Sequence, residues 1–486
     1  MKSAANISIA ILSIFSLNFV KSSLTDNVDP ETSKMINMLL ENSNNINDTS
    51  VWDSLAEMTD LYGHRMTGHV QYDRSVQWVM NDAKNHPEFV AKAEPVTVNV
   101  WARNSESVEL YIPTRYPPVM DLPMLGLGQS IGTGPGGITA EVIPVQTFED
   151  LEKLGSKNIA GKIVLFCKDF VSYGDNVKYR SSGALKAQEY GAVGVLVQSI
   201  TGYSLVTPHT GVMNPADIPA AAISVEDSKL IQRMYQRNLK AQEDPSIPNA
   251  KEFVKPLVKL TMNAQNYEGA KVSDNIVIDL KGSEKPEEIV IISGHFDSWD
   301  VGVGAMDDGG GAFSSYGALK MLAKLPNKPK RTIRVVMWNN EETLSKGADG
   351  YMVEHKDEIK NHIFAIESDI GNFNPWGLAV KASNDIVSKM ESLGKLYLSS
   401  IGGGNITQVD DPPAVDVTNL CDVGVPCASF ETLDKYTDIS PLTPAGYEGY
   451  FRFHHTQADR MEILDKHVLR KNSVALAVWS LIIANQ

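Results

Sequence analysis

Residues 288–312 read EIVIISGHFDSWDVGVGAMDDGGGA. The apolar run 289–292 is too short for a helix and is bounded by polar residues, which predicts a strand buried on both faces. That strand runs directly into Ser293, Gly294, His295, Phe296 and Asp297, and the glycines at 309–311 open a helix predicted over 309–325. The pattern then repeats. Residues 332–338 (TIRVVMW) predict a second strand, followed by Asn339, Asn340, Glu341 and Glu342 and a helix over 347–360. Residues 363–367 (IFAIE) predict a third strand, which ends in Glu367, Ser368 and Asp369. From about Ser273 onward this alternation implies an α/β fold, a mixed but mainly parallel sheet with helices on both faces. Such sheets bind ligands outside the carboxyl ends of their strands, so the three polar clusters are expected to meet along one rim.

Outward from this core the character changes. Residues 30–82 carry apolar positions at helical spacing, broken at 63–68. Alternating stretches at 96–100 and 108–112 predict half-buried strands. Past the proline- and glycine-rich loops of 117–137 come buried strands at 159–167, 191–198 and 218–225, with helices near 184–190 and from Ser228. A chain of 486 residues exceeds one ordinary core. We divide it into a signal segment (1–23), a first catalytic part (24–117), a β-rich insert (118–265) and a second catalytic part (266–486). The first segment has Lys2, an apolar stretch over 7–20 and the small residues Ser22 and Ser23, the pattern of a secretory signal. The apolar run 474–484 is shorter than a membrane span and predicts the buried face of a C-terminal helix, so no span is expected once the signal is removed.

Composition narrows the partners. With 44 basic and 59 acidic side chains the formal charge is −15, which offers no footprint for nucleic acid or an anionic membrane and favours peptide or small-molecule partners. Three cysteines, Cys167, Cys421 and Cys427, are too few for a disulfide scaffold and too scattered for a cysteine zinc site. Cys421 and Cys427 are close enough to pair, and all three also suit an apolar interior. Asn47 and Asn405 head glycosylation triplets usable on an export route.

The polar clusters carry the chemistry. Taken singly, a strand-end His295 is more often structural, Asp307-Asp308 before three glycines reads as a helix cap, and Glu341-Glu342 as a solvated pair. Together they supply the nitrogen and oxygen donors of a co-catalytic zinc pair, two ions about 3.5–4 Å apart bridged by one carboxylate. Asp307 is placed to bridge, His295 and Asp369 to complete one metal, and Glu342 and His455 the other. Glu341 would take a proton from a water between the ions, and Asp297 would accept the imidazole N–H of His295. The triple glycine lacks the Lys-Ser or Lys-Thr of a phosphate loop, so close helix packing is preferred.

The run GHFDSWDVGVGAMDDGGGA, with NNEE, ESDIG and FHHTQAD (453–459) downstream, resembles the co-catalytic two-zinc exopeptidase family, and the insert resembles the protease-associated domain that several of its members carry. The resemblance extends from about Pro30 to the C-terminus. It implies two zinc ions per chain held by His295, Asp307, Glu342, Asp369 and His455, with His455 rather than His454 chosen because it stands four residues before Asp459. It implies Glu341 as general base, a cis peptide between Asp307 and Asp308, a homodimer, and hydrolysis of dipeptides or short peptides with free termini in the lysosome or outside the cell. The sequence departs from the family at Gln457 and at Asn339-Asn340. A broader aminopeptidase, a one-zinc glutaminyl cyclase lacking the insert and a non-enzymatic receptor-like ectodomain are the competing readings.

Overall fold

Two eight-stranded sheets organise the computed structural model, which describes residues 24–25, 27–43, 45–202, 204–433 and 449–486. The segment read as a secretory signal lies outside them. In the larger sheet four parallel strands form the centre, in the order Arg331–Trp338, Lys285–His295, His362–Glu367, Cys427–Leu433. Antiparallel strands Lys271–Leu280 and Phe89–Val98 extend one side. Asn374–Lys381, antiparallel to the central group, and Asn405–Gln408 extend the other. The sheet is therefore mixed, with its parallel part at the centre.

Period-two side-chain direction explains the unbroken apolar strands. Val290 and Ile292 join the core on one face of the sheet, while Ile289 and Ile291 join Trp338, Tyr351 and Leu420 on the other. The first face is covered by helices Gly310–Ala323 and Lys466–Asn485. The C-terminal helix goes further than the single buried face read from sequence. From Asn472 to Asn485 every residue is buried, because helices Pro30–Ser43 and Ser50–Tyr62 pack over it. Among the described residues no helix is long and apolar enough to cross a membrane.

The smaller sheet spans Glu106–Met262 and begins before residue 118. Glu106–Tyr111 pairs antiparallel with Leu257–Met262, so the alternating stretch read as part of the catalytic unit belongs instead to the second sheet. Its buried alternate residues Val108 and Leu110 pack with Val258 and Leu260 of that partner strand. Helices Phe148–Ile159, Tyr173–Gln188 and Val225–Glu243 complete the unit. Cys421 and Cys427 form a disulfide and Cys167 is buried and free. Asn47 and Asn405 are exposed.

Candidate metal and catalytic site

Register brings the polar clusters to one rim. His295, the last residue of its strand, lies opposite Trp338, and Ser293 lies opposite Glu367, so all three chains leave the sheet at the same level. The loop carrying Asp307 and Asp308 is clamped close to this edge. The Asp308 carboxylate accepts from the backbone N–H of His295 at 3.1 Å and of Gly311 at 2.9 Å. A side chain at Gly311 would run into the Ser368 carbonyl, and one at Gly294 into Asp308, so both glycines are required by the close approach of helix and strand. The peptide between Asp307 and Asp308 is cis.

Around Asp307 the expected side chains converge. Its Oδ1 lies 3.3 Å from His295 Nε2, and its Oδ2 lies 3.4 Å from His455 Nε2. His295 Nε2 is also 3.3 Å from Asp369 Oδ1, and His455 Nε2 is 2.8 Å from Glu342 Oε2. Glu341 reaches to 3.9 Å from His295 Nε2 and keeps 15 % of its side chain exposed. His454 stacks on His455, 3.5 Å between ring centroids, with its Nε2 3.8 Å from Asp307 Oδ2. Both histidines are therefore near Asp307, but only His455 also meets Glu342.

The far nitrogen of each imidazole is held by a backbone carbonyl. His295 Nδ1 is 2.9 Å from the Asp297 carbonyl and His455 Nδ1 is 3.3 Å from the Thr210 carbonyl. Donation to those carbonyls fixes a proton on Nδ1 and turns Nε2 toward the carboxylates, so that each ring, once neutral, offers Nε2 to a metal. Here the structure corrects the role read for Asp297. Its carboxylate lies 3.8 Å from His295 Nδ1 and instead accepts from the N–H groups of Glu341 (3.0 Å) and Glu342 (3.4 Å) and from the Thr67 hydroxyl (3.0 Å). The helical turn Glu341–Leu344 opens at this point, so a carboxylate suits its free N–H groups. Asp297 thus positions both glutamates. Asn340 (φ 69°) and His455 (φ 59°) occupy the left-handed region, an arrangement that clusters at functional sites.

The electrostatics call for cations. Burial raises Glu342 and Glu341 well above the ordinary carboxylate range, and neighbouring carboxylates, including Asp307, raise both further against the pull of His295. Asp369 and Asp308 are raised for the same reasons. Asp307 goes the other way: burial opposes its ionisation, yet His454, His295 and His455 hold its carboxyl far below the usual range. Burial, assisted by His454, lowers His455 well below an ordinary histidine against the pull of Asp307. Asp307 Oδ2, Glu342 Oε1 and Asp369 Oδ1 are buried without a hydrogen-bond partner. Converging oxygens left unsatisfied beside imidazole nitrogens fit metal coordination.

Sequence reasoning missed several contributors. Arg65, fully buried within the 63–68 break, donates to the carbonyls of Phe296 (2.6 Å), Val303 (2.8 Å) and Gly304 (2.8 Å) and so fixes the loop leading to Asp307. An arginine inside an otherwise small, glycine-bounded loop was the available signal. Tyr450 donates to Asp307 Oδ1 at 3.0 Å. Asp459, read from sequence only as the marker that selects His455, accepts from the N–H groups of Met306 (2.7 Å) and Asp307 (3.2 Å), and burial moves it up to about 7. Gln457 is exposed, whereas Asn339 is buried and accepts from Thr67 at 3.0 Å.

Comparison with known proteins agrees with this geometry. A profile of peptidase family M28 matches residues 275–480. Carboxypeptidase Q of Xenopus laevis is 38% identical over 436 residues, 89% of this chain and 84% of that protein. The Homo sapiens carboxypeptidase Q is 36% identical over the same shares. The crystal structure of a peptidase M28 precursor from Shewanella amazonensis superposes with a TM-score of 0.80 at 28% identity, covering 94% of this chain and 97% of that one. A zinc aminopeptidase from Bacillus subtilis shares the fold at 18% identity, with a TM-score of 0.62 over 88% of this chain and 94% of that one. The chain belongs to peptidase family M28 as a carboxypeptidase Q-like metallo-exopeptidase.

Proposed function

We propose that this protein hydrolyses dipeptides and short peptides with free termini, with two zinc ions per chain held by His295, Asp307 and Asp369 on one side and by Asp307, Glu342 and His455 on the other. The observation carrying this reading is the division of Asp307, one oxygen toward His295 and the other toward His455, with Oδ2 lacking any hydrogen bond. When bound, zinc supplies Lewis-acid polarisation of a peptide carbonyl and makes an adjacent water more acidic.

The chain's own residues do the rest. Glu341 takes a proton from the attacking water as its oxygen bonds to the carbonyl carbon, then returns that proton to the amine nitrogen as the C–N bond breaks. Asp297 holds the Glu341 backbone for that transfer. Asp459 and Tyr450 fix the backbone and one carboxylate oxygen of Asp307. A buried site that accommodates both an ammonium and a carboxylate disfavours longer chains, because burying a charge unpaired is costly. Passage through the secretory pathway and assembly as a homodimer belong to the same reading. The Cys421–Cys427 disulfide supports an oxidising destination.

Elemental analysis combined with hydrolysis of a dipeptide and tripeptide series tests the proposal. Two zinc ions per chain and dipeptide turnover well above tripeptide turnover are expected. Equal rates on both lengths would make the protein a broader aminopeptidase.

A further inference from the structure

The two imidazoles of the metal site are held from different places. The carbonyl that receives His295 Nδ1 belongs to Asp297, two residues along the same loop, whereas the carbonyl that receives His455 Nδ1 belongs to Thr210 of the insert. Thr210 grips that histidine twice, because its own N–H donates to the His455 carbonyl at 3.0 Å. The ring is supported as well. Trp299 meets His455 edge-on with 5.7 Å between ring centroids, and a side chain at Gly128 of the insert would run into that indole. The His295 half of the site is thus held by its own loop, and the His455 half across the seam with the insert.

Arg103 fastens that seam. It follows Trp101–Ala102, which pairs with Gln265–Asn266 where the chain enters and leaves the insert, and it is only 7% exposed. Its Nε (2.9 Å) and Nη2 (2.7 Å) donate to the two carboxylate oxygens of Asp300, on the loop between His295 and Asp307. The same Nη2 donates to the Thr210 hydroxyl at 3.2 Å. Nη1 donates to the Gly126 carbonyl, which the Thr210 hydroxyl also reaches at 2.8 Å. The guanidinium lies 5.1 Å from the centre of the Trp101 ring, and that ring meets Trp299 edge-on at 6.3 Å. Both supports of His455, the Thr210 backbone and the Trp299 ring, therefore lead back to one side chain. A planar fork with fixed donor directions can hold Asp300, Thr210 and Gly126 together, which the point charge of a lysine does less well.

We propose that Arg103 is a positioning residue for the metal position of Glu342 and His455. By locking Thr210 of the insert to Asp300 it sets the His455 imidazole, so the insert completes one of the two metal positions and not the other. Partners that orient a metal-bound imidazole contribute about 10- to 100-fold in metal affinity. The His295 half keeps anchors of its own, since Arg65 and Asp459 hold the loop leading to Asp307 without Arg103. This inference rests on the two-zinc reading above.

The test titrates zinc into the full chain against a competing chelator, which reads the affinity of each ion. Arg103→Met is expected to weaken one ion by about 10- to 100-fold and to leave the other unchanged, while Arg103→Lys retains part of the lost affinity. Thr210→Val, which removes the hydroxyl and keeps the carbonyl, weakens the same ion to a smaller extent. Chains restricted to one ion identify which it is. Added to Asp369→Ala, which leaves the His455 position, Arg103→Met lowers the affinity by the same factor, and added to His455→Ala it changes nothing. Equal weakening of both ions makes Arg103 a general support of the fold and overturns the proposal. Unchanged affinities in Arg103→Met overturn it too, as do unchanged affinities in Arg103→Lys and Thr210→Val should the methionine variant fail to fold. A wild-type chain that binds fewer than two zinc ions overturns the two-zinc reading itself, a result seen before any variant is made.

Discussion

Two buried clusters of charge sit on the same sheet and are built on opposite principles. On the face away from the C-terminal helix, Arg334 meets both oxygens of Asp279 (2.7 and 3.0 Å) and Glu358 (2.6 Å), while His355 lies between Glu94 (2.8 Å) and Glu358 (2.5 Å). Each of those charges has a partner from the chain itself. At the rim, Asp307, Asp369, Glu341 and Glu342 crowd around His295 and His455, most of them pushed up by burial and by one another, with three oxygens unsatisfied. A folded chain closes its charge balance where the role is structural. It leaves the balance open where something from outside must complete it.

The largest effect that sharpens this contrast is catalytic. Glu341→Gln removes the proton acceptor while leaving the proposed metal-holding atoms in place. We expect turnover to fall by about 1000-fold or more with zinc content unchanged, measured as kcat beside elemental analysis on the same preparation. A variant that retains turnover would return Glu341 to the supporting cast.

Next in size is a break in the closed cluster. Arg334→Met removes the buried guanidinium that joins Asp279 to the half-exposed Glu358, leaving them only Lys281 and His355, and is expected to cost about 2–3 kcal/mol, read as a lowered urea midpoint. The loss should be the same with zinc bound or chelated, because no member of that network touches the rim. A loss that depends on zinc would mean the two clusters are coupled.

Both clusters were unequally legible in the sequence. Strand ends followed by polar residues reveal a rim because parallel strands end at a common level, and the spacing of Ser293, Trp338 and Glu367 in register is what aligns His295, Glu341, Glu342 and Asp369. Arg334 was hidden inside the apolar run TIRVVMW, where its charge gives no hint of a partner 55 residues upstream. Arg65 and Tyr450 act through long-range hydrogen bonds that no local pattern encodes. Asp297 was read as a site residue with His295 as the partner of its carboxylate. Its separation of two residues from His295 suggests the imidazole, whereas the chain turns its carboxylate to the N–H groups of Glu341 and Glu342. The second sheet was misplaced at its start because alternation identifies a half-buried strand without saying which sheet it joins.

A smaller effect should change sign with the metal. Glu342 is raised above its ordinary value of 4.5, first by burial and then by Asp307. A raised carboxyl favours the folded state fully below its unfolded value, and that contribution is lost as pH rises. In zinc-free protein at neutral pH, Glu342→Gln is therefore expected to stabilise by about 2 kcal/mol, a gain that disappears below pH 4.5. With zinc present the same substitution removes a proposed metal-holding oxygen and should destabilise. Urea midpoints with and without chelator read both signs, and a variant less stable in both conditions would contradict an open charge balance at the rim.

The smallest effect belongs to His355. Burial works against its protonation, but the hydrogen bonds its ring donates to Glu358 and Glu94 raise it above its ordinary value of 6.5. For a raised histidine the contribution is complete below 6.5 and is lost as pH climbs through the higher folded value. Glu358, held down to about 2 against its own burial by His355 and Arg334, keeps its contribution above its ordinary value of 4.5 and loses it only in strong acid. The two windows overlap between those ordinary values, so His355→Gln should cost about 1 kcal/mol in mildly acidic solution and progressively less in alkali. The midpoint difference between wild type and variant, followed across that range with zinc bound and chelated, should trace the same curve in both, since every partner of His355 is supplied by the chain. A curve that shifted when zinc was removed would show that the closed cluster also senses the metal, and the distinction between the two would fail.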